Sequence, residues 1–239
     1  MKITNNIYVL SGSYFSAVNN AATLGDVYGI RTPQGVILID CGNPVTGLAM
    51  LKETLFYFNV NEPITHCIVT HAHHDHCGSA KELQEAGTII IVGQEDASYC
   101  TNGGVWGLST PFDKEQAYPA FSPDIIISED QTLEINGISF EFIKVPGHTP
   151  GSIAIRVTMD DKKVLFTGDI LQPDGIYLNS VNFGWKGDPF FNRQATVDSM
   201  MKLMQFETDM VLPGHGRLCL RNGTALLRHA AQIAFTTLR

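Results

Sequence analysis

The sequence is poor in several features that would place it in other classes of protein. Basic residues are the minority, with 16 Lys+Arg against 24 Asp+Glu and a formal net charge of −8, and no basic run occurs. This charge balance repels phosphate backbones, so we expect no nucleic-acid partner. The longest apolar stretches have only the length of a strand, so we expect neither a membrane-spanning segment nor a membrane partner.

Cysteine is also scarce, and its spacing shows no regularity. The chain holds five cysteines, at positions 41, 67, 77, 100 and 219. An odd number at irregular positions is not typical of a disulfide framework. The first six residues turn polar at once, without the apolar core of a signal peptide. These two features together predict a reduced, cytoplasmic protein.

The hydrophobic content and its periodicity predict one α/β domain. Hydrophobic residues make up 44% of the 239 positions, which is enough for one sizeable core. Strand-like blocks alternate with helix-like segments, which predicts two packed sheets flanked by helices within a single domain over 1–239. Asn43-Pro44 predicts a helix start, and Asn136-Gly137 predicts a hairpin turn. Two long irregular segments, 101–123 and 170–192, interrupt this pattern.

A cluster of histidines carries the strongest chemical signal. Four of the eight histidines fall within six residues of the stretch Thr70-His71-Ala72-His73-His74-Asp75-His76. The stretch follows an apolar strand and precedes a predicted helix, where a loop can gather side chains around one point. Imidazole and carboxylate groups suit a borderline metal such as zinc. On an extended loop, His71 and His73 share a face while Asp75 and His76 turn toward a second position. The alternative is a polar surface loop.

Three later segments each place a metal-ligating residue type at the end of a strand. They are Pro146-Gly147-His148-Thr149-Pro150-Gly151-Ser152, Phe166-Thr167-Gly168-Asp169 and Leu212-Pro213-Gly214-His215-Gly216. Their glycines let the backbone pass close to a metal. Each segment alone is more typical of a turn, but the three in this order extend the histidine cluster into one candidate site.

The order HxHxDH, GHTPGS, GD and PGHG resembles the metallo-β-lactamase superfamily, on its glyoxalase II-like or lactonase-like side. The resemblance implies an αββα four-layer sandwich with the site along one edge of the two sheets. It assigns His71, His73 and His148 to a first metal, Asp75, His76 and His215 to a second, and Asp169 to a bridge between them. It also implies that Asp40, at the end of a strand, orients the metal loop. A strand-end cap is the alternative for Asp40.

The resemblance implies hydrolysis with two divalent metal ions, expected to be zinc, with iron or manganese as alternatives. Cations that share a carboxylate lower the pKa of a bridging water toward neutrality. The resulting hydroxide would cleave a small ester, thioester or lactone. Asp75 would ligate one of the metals and also orient this hydroxide. Three alternatives stay open: an iron-dependent oxidoreductase of the persulfide-dioxygenase kind, a β-lactam or phosphodiester hydrolase, and a non-catalytic binding protein.

The motifs do not decide between the substrates of two subgroups, the glyoxalase II-like and the lactonase-like members. Aspartate at the bridging position, rather than cysteine, is closer to glyoxalase II-like and lactonase-like members. Glyoxalase II adds a helical C-terminal region, which is not expected because the chain ends 24 residues after His215 (239 − 215). Lactonase-type members often carry a tyrosine soon after the bridging aspartate, where Ile170-Leu171-Gln172 stand here. A homo-oligomer also stays open.

Aromatic side chains in the two irregular segments predict an apolar pocket for a small-molecule substrate. Trp106, Tyr177 and Trp185 are the foremost candidates for its wall. Other aromatics of the same segments are Phe112, Tyr118, Phe121, Phe183, Phe190 and Phe191. The alternative for all of them is packing within the loops or a contact between subunits.

Overall fold

The computed structural model describes residues 1–12, 25–44, 46–104, 117–173, 181–184, 186 and 189–239. The chain divides into two compact units, Met1–Ser128 (unit 1) and Glu129–Arg239 (unit 2). Each unit contains one large β-sheet and helices, so the predicted α/β class is confirmed. The single domain over 1–239 stays a prediction.

Unit 1 is built on a six-stranded sheet whose strands lie side by side in chain order. The strands are β1 (Ile7–Ser11), β2 (Val27–Thr32), β3 (Gly35–Ile39), β4 (Ile64–Ile68), β5 (Ile89–Gly93) and β6 (Ile125–Ile127). The first three strands pair antiparallel, whereas β3 to β6 pair parallel. The carboxyl ends of β3, β4 and β5 therefore meet at one edge, where open α/β sheets place their ligand sites.

In the part of unit 1 that the structure describes, the α-helices beside this sheet are α1 (Gly47–Tyr57), α2 (His74–Cys77), α3 (Ala80–Glu85) and α4 (Ala97–Thr101). A 3-10 turn at Gln94–Asp96 leads into α4. The apolar faces of α1 and α3 supply Leu51, Leu55 and Leu83 to one buried cluster with strand residues such as Leu38 and Ile90. Burial of these side chains stabilises the unit and holds the strand ends in place.

The start of α1 differs from the sequence prediction. The helix begins at Gly47 rather than directly after Asn43. Its first amides are satisfied from outside the segment, since the Gly47 N–H donates to Ser79 Oγ at 3.0 Å and the Leu48 N–H to Glu82 Oε2 at 2.9 Å. These contacts act at the first helical amides, while the Asn43 cap that the sequence suggests is also present ahead of the helix, since Asn43 Oδ1 accepts the Thr46 N–H at 3.0 Å.

Unit 2 is built on a five-stranded sheet in the order β13-β10-β9-β8-β7. Its strands are β7 (Gln131–Ile135), β8 (Ile138–Lys144), β9 (Ile153–Met159), β10 (Lys162–Gly168) and β13 (Met210–Pro213). A separate pair, β11 (Gln172–Pro173) and β12 (Val181–Asn182), lies in the second irregular segment. Because β7 to β10 alternate in direction and β13 is parallel to β10, the carboxyl ends of β8, β10 and β13 lie at one edge.

Local sequence chemistry accounts for two features of unit 2. The β7–β8 hairpin turns at Asn136 and Gly137, with φ of 53° and 75°, as the sequence predicted. Helix α5 (Arg193–Leu203) begins after Asn192, whose side chain accepts the Ala195 N–H at 3.0 Å. The last helix is α6 (Gly223–Thr237). Throughout the described residues, every helix is too short or too polar to cross a membrane.

Candidate metal centre

The metal loop, residues 70–76, follows β4 and brings its predicted ligands together, with the His71 ring centroid 4.7 Å from that of His73 and 4.1 Å from that of His76. His71 Nε2 lies 3.0 Å from His73 Nδ1, and His76 Nε2 lies 3.8 Å from Asp75 Oδ2. His71 and His76 are almost fully buried, at 1% and 0% exposure. The predicted extended loop needs one correction, because from His74 the chain forms the single helical turn α2.

Asp40 holds this loop from the end of β3. One carboxylate oxygen accepts the Thr70 N–H at 2.7 Å. The other accepts the Thr70 hydroxyl at 2.9 Å and the Nδ1–H of His76 at 2.8 Å. Burial raises the pKa of the Asp40 carboxyl, while the neighbouring imidazole and the Thr70 donors act in the opposite direction. With Nδ1 occupied, the His76 ring has Nε2 left as the atom that could bind a metal.

The three predicted ligands of unit 2 follow the three strand ends that meet at one edge of its sheet. Asp169 comes directly after β10, His215 shortly after β13, and His148 after β8. Asp169 Oδ2 lies 3.6 Å from His148 Nε2 and 3.5 Å from His215 Nε2. The same oxygen accepts a hydrogen bond from Gln172 Nε2 at 2.8 Å. Two imidazoles therefore flank one carboxylate oxygen.

In each unit a glycine backbone lies directly against a predicted ligand. A Cβ on Gly184, which has a φ of +78°, would stand 2.0 Å from His148 Nδ1. A Cβ on Gly25 would stand 2.8 Å from Cε1 of the His76 ring. Only glycine permits these approaches. Neither glycine belongs to a ligand motif, so sequence reasoning missed both of them.

The arrangement of donors fits a divalent transition metal. Two ligand atoms bound to one tetrahedral zinc ion stand roughly 3.3 Å apart, given the usual bond lengths. The separations within the two units run from 3.0 to 3.8 Å and bracket that value. The donors are imidazole nitrogens and carboxylate oxygens, which zinc, iron and manganese all accept.

The predicted substrate-binding residues Trp106, Tyr177 and Trp185 lie outside the described residues. Three other aromatics of the irregular segments are buried instead. Tyr118 and Phe121 belong to the core of unit 1, at 6% and 3% exposure, and Phe183 belongs to the core of unit 2. For these three side chains, burial favours the packing alternative.

Asp96 and Tyr118, to which the sequence analysis gave no role at the metal loop, also hold that loop. Asp96 Oδ2 accepts the N–H of Ala72 at 2.8 Å, and the Tyr118 hydroxyl donates to the Ala72 carbonyl at 3.0 Å. A signal for Asp96 exists in the sequence, because it is an acidic residue just beyond the buried strand β5, as Asp40 is beyond β3. Tyr118 offers no comparable signal.

Comparisons with known proteins identify the family of the chain. Residues 22–215 match the metallo-β-lactamase superfamily. The probable metallo-hydrolase YflN of Bacillus subtilis is 26% identical over 234 residues, covering 87% of this chain and 88% of its own. The hydroxyacylglutathione hydrolase GloC of Haemophilus influenzae is 30% identical over 152 residues, covering 62% and 67% of the two chains.

Solved structures extend the likeness to the fold. BJP-1, a subclass B3 metallo-β-lactamase of Bradyrhizobium japonicum, has a TM-score of 0.74 at 21% identity, covering 99% of this chain and 90% of its own. A Cronobacter sakazakii metallo-β-lactamase with a HARLDQ motif has a TM-score of 0.76 at 18% identity, covering 99% and 92%. The predicted metallo-β-lactamase fold is confirmed. The chain belongs to the metallo-β-lactamase superfamily and is a metallo-hydrolase of that superfamily.

Proposed function

We propose that the protein is a dinuclear metal-dependent hydrolase that cleaves a small ester, thioester or lactone. One observation carries the proposal: a single oxygen of Asp169 lies within 3.6 Å of His148 Nε2 and within 3.5 Å of His215 Nε2. A carboxylate between two imidazoles is the arrangement expected where one carboxylate serves two metals. Zinc is the expected metal, with iron or manganese as alternatives.

The seven ligands divide according to the motif order of the superfamily. His71, His73 and His148 would hold one metal, while Asp75, His76 and His215 would hold the other. Asp169 would serve both. Membership of the superfamily supports this division, and the short donor separations within each unit are consistent with it.

When bound, two such metals supply a polarised substrate carbonyl and a water of lowered pKa. The residues of the chain supply the orientation. Asp75 has a carboxylate beside His76, and it would accept a hydrogen bond from the attacking water and so direct it. Asp40 fixes the His76 ring through Nδ1. A covalent nucleophile from the chain is not required in this scheme.

Thioesters are the first substrate class to test. The similarity to GloC, whose name is hydroxyacylglutathione hydrolase, supports an acyl thioester of a small molecule. We also expect the protein to act in the cytoplasm, since its five cysteines are free and a reducing compartment keeps them so.

The test combines metal analysis and a substrate panel on one sample. Protein purified without a chelator should approach two metal equivalents per chain by elemental analysis. The same sample should hydrolyse acyl thioesters or lactones faster than β-lactams and phosphodiesters. One equivalent that persists under excess zinc would contradict the bridging role of Asp169. Oxygen uptake with a persulfide would instead establish the iron-dependent alternative.

A second experiment addresses the proposed pocket of Trp106, Tyr177 and Trp185. Full burial of one apolar side chain is worth about 1.5–3 kcal/mol, which corresponds to about one to two powers of ten in rate. Trp185→Ala and Trp106→Ala should therefore lower kcat/KM by about 10- to 100-fold on a long acyl thioester and much less on an acetyl thioester. Equal losses on both substrates would refute the pocket.

A further inference from the structure

Both backbone polar groups of Ala72 are held by side chains from other parts of unit 1. Its N–H donates to Asp96 Oδ2 at 2.8 Å, and its carbonyl accepts from the Tyr118 hydroxyl at 3.0 Å. Ala72 and Asp96 are fully buried, and Tyr118 is 6% exposed. Without these partners, two buried backbone groups would lose their hydrogen bonds, which is unfavourable away from water.

These two hydrogen bonds act on the peptide planes that flank the proposed ligands. The Ala72 nitrogen belongs to the peptide group shared with His71, and the Ala72 carbonyl to the one shared with His73. A peptide group is planar, so holding its N–H or carbonyl fixes the rotation of the plane. Fixing both planes sets the directions in which His71 and His73 leave the backbone. Their ring nitrogens meet at 3.0 Å.

The order of the sheet explains where one of these partners comes from. Strands β3, β4 and β5 are parallel neighbours, and the metal loop follows the middle one. Asp40, after β3, holds Thr70 and His76 from one side. Asp96, after β5, holds Ala72 from the other side. A carboxylate that follows each of the two neighbouring strands therefore holds the metal loop by hydrogen bonds.

Tyr118 holds the metal loop from a third part of unit 1, and its own position is fixed by further contacts. Its own N–H donates to the Gly103 carbonyl at 3.1 Å, and its ring centroid lies 6.2 Å from that of Phe121. Burial raises the pKa of the Tyr118 hydroxyl strongly, so the group remains a neutral donor.

We propose that Asp96 and Tyr118 are positioning residues that clamp the Ala72 backbone and so aim His71 and His73 at a metal. The inference rests on the proposed metal-binding function. A purely structural role predicts lower stability with unchanged metal affinity of the folded protein, whereas a clamp predicts weaker metal binding.

Tyr118→Phe tests the clamp, with Tyr8→Phe as the matched control. Each variant keeps a buried ring in unit 1 and loses one hydroxyl that donates to a backbone carbonyl, since Tyr8 donates to Asn5 at 3.0 Å. Zinc affinity of the full chain is measured by competition with a chromophoric chelator, and folding is checked by near-UV circular dichroism. Removing an outer partner of a ligand typically costs 10–100-fold in metal affinity. We expect about tenfold weaker zinc binding for Tyr118→Phe and unchanged binding for Tyr8→Phe.

Asp96 is tested by Asp96→Ala and Asp96→Asn, because asparagine keeps an acceptor oxygen for the Ala72 N–H. We expect Asp96→Ala to weaken zinc binding about 10- to 100-fold and Asp96→Asn to restore most of it. Asp124→Ala is the control, since Asp124 Oδ2 accepts the Ile90 N–H at 2.8 Å in the same unit.

The outcomes separate the clamp from the proposed function. Wild-type zinc affinity in Tyr118→Phe, or an equal loss in both tyrosine variants, would overturn the clamp even if Asp96→Ala did not fold. If the wild-type protein itself bound no zinc, iron or manganese, the proposed function would fail instead.

Discussion

The two units assemble their predicted metal donors in different ways. In unit 1 all four donors fall within positions 71–76, on one loop after one strand. In unit 2 three donors follow three different strands, and His148 and His215 are 67 positions apart (215 − 148). The first group is held by hydrogen bonds to its backbone and rings, from Asp40, Asp96 and Tyr118. The second depends on the order and register of the strands of the unit 2 sheet, in which β13 pairs with β10 and β9 joins β10 to β8.

This difference indicates where each group of donors is vulnerable. A loop has no sheet partner to satisfy its peptide groups, so side chains must do this and at the same time aim the ligands. Donors at strand ends take their positions from strand register, as in the pairing of Gly168 with Pro213 and the Gly214 N–H bond to the Gly168 carbonyl at 2.9 Å. We therefore expect unit 1 to depend on its clamping side chains and unit 2 on close backbone packing.

Removing one ligand from each unit should have the largest effect. We expect His76→Ala and His148→Ala each to lower kcat/KM about 1,000-fold, because metal catalysis supplies several kcal/mol and each 1.36 kcal/mol is a factor of ten. Metal content should fall in parallel by elemental analysis. His74→Ala, in the same loop but outside the ligand set, should change little. An equal loss in His74→Ala would mean that the ligands of the loop are wrongly assigned.

Gly184→Ala should disturb unit 2 through the backbone packed on His148. The new Cβ would stand 2.0 Å from His148 Nδ1, at a φ of +78°. We expect 10- to 100-fold weaker metal binding, as for other losses of ligand orientation. Gly87→Ala is the control, because its φ is +94° but its Cβ would have no neighbour within 4 Å. Both should lose roughly 1–2 kcal/mol of stability from left-handed backbone strain. If Gly184→Ala kept wild-type metal affinity in chelator competition, as Gly87→Ala should, the packing on His148 would have no role in metal binding.

Gln172→Ala should have a smaller effect on the same unit. Its amide donates to Asp169 Oδ2 at 2.8 Å from a half-buried position. Because the acceptor is a carboxylate, this hydrogen bond is worth about 1.5–3 kcal/mol, less where water can replace the amide, so we expect a loss of metal affinity of about tenfold. Gln194→Ala removes a similar hydrogen bond, which the Gln194 side-chain amide donates to Asp198 at 2.9 Å on α5. This variant should leave metal affinity unchanged. A loss in Gln172→Ala as large as that in His148→Ala would make Gln172 essential rather than supporting.

The smallest effect concerns acid stability, where the two units should behave alike. Arg31 lowers the pKa of Glu62 in unit 1, and Lys163 lowers the pKa of Glu207 in unit 2. A carboxyl with a lowered pKa in the folded state contributes stability that is present above its unfolded pKa and lost as the pH falls through the folded one. Urea midpoints of Glu62→Gln and Glu207→Gln should therefore lie slightly below wild type at pH 7 and converge with it below about pH 4. A difference that grew in acid would contradict the assigned direction of the shifts.

The sequence by itself determined the residue types and order of the predicted ligands, the family and several local structures. The ligands belong to short motifs at strand ends, so neighbouring residues in the chain identify them. The hairpin at Asn136-Gly137 is equally local, since the turn requires two residues with positive φ, here 53° and 75°. Asp40 could be expected for the same reason, because it ends a strand within a motif.

Only the tertiary structure decided how those ligands are held. Asp96 and Tyr118 reach Ala72 across 24 and 46 positions of the chain, and Glu82 reaches the α1 amide of Leu48 across 34. Gly184 lies on His148 across a strand pair and an irregular segment. Each of these contacts depends on which strands are neighbours and in which direction they run. That order arises from packing of the whole sheet, so no local pattern of residues encodes it.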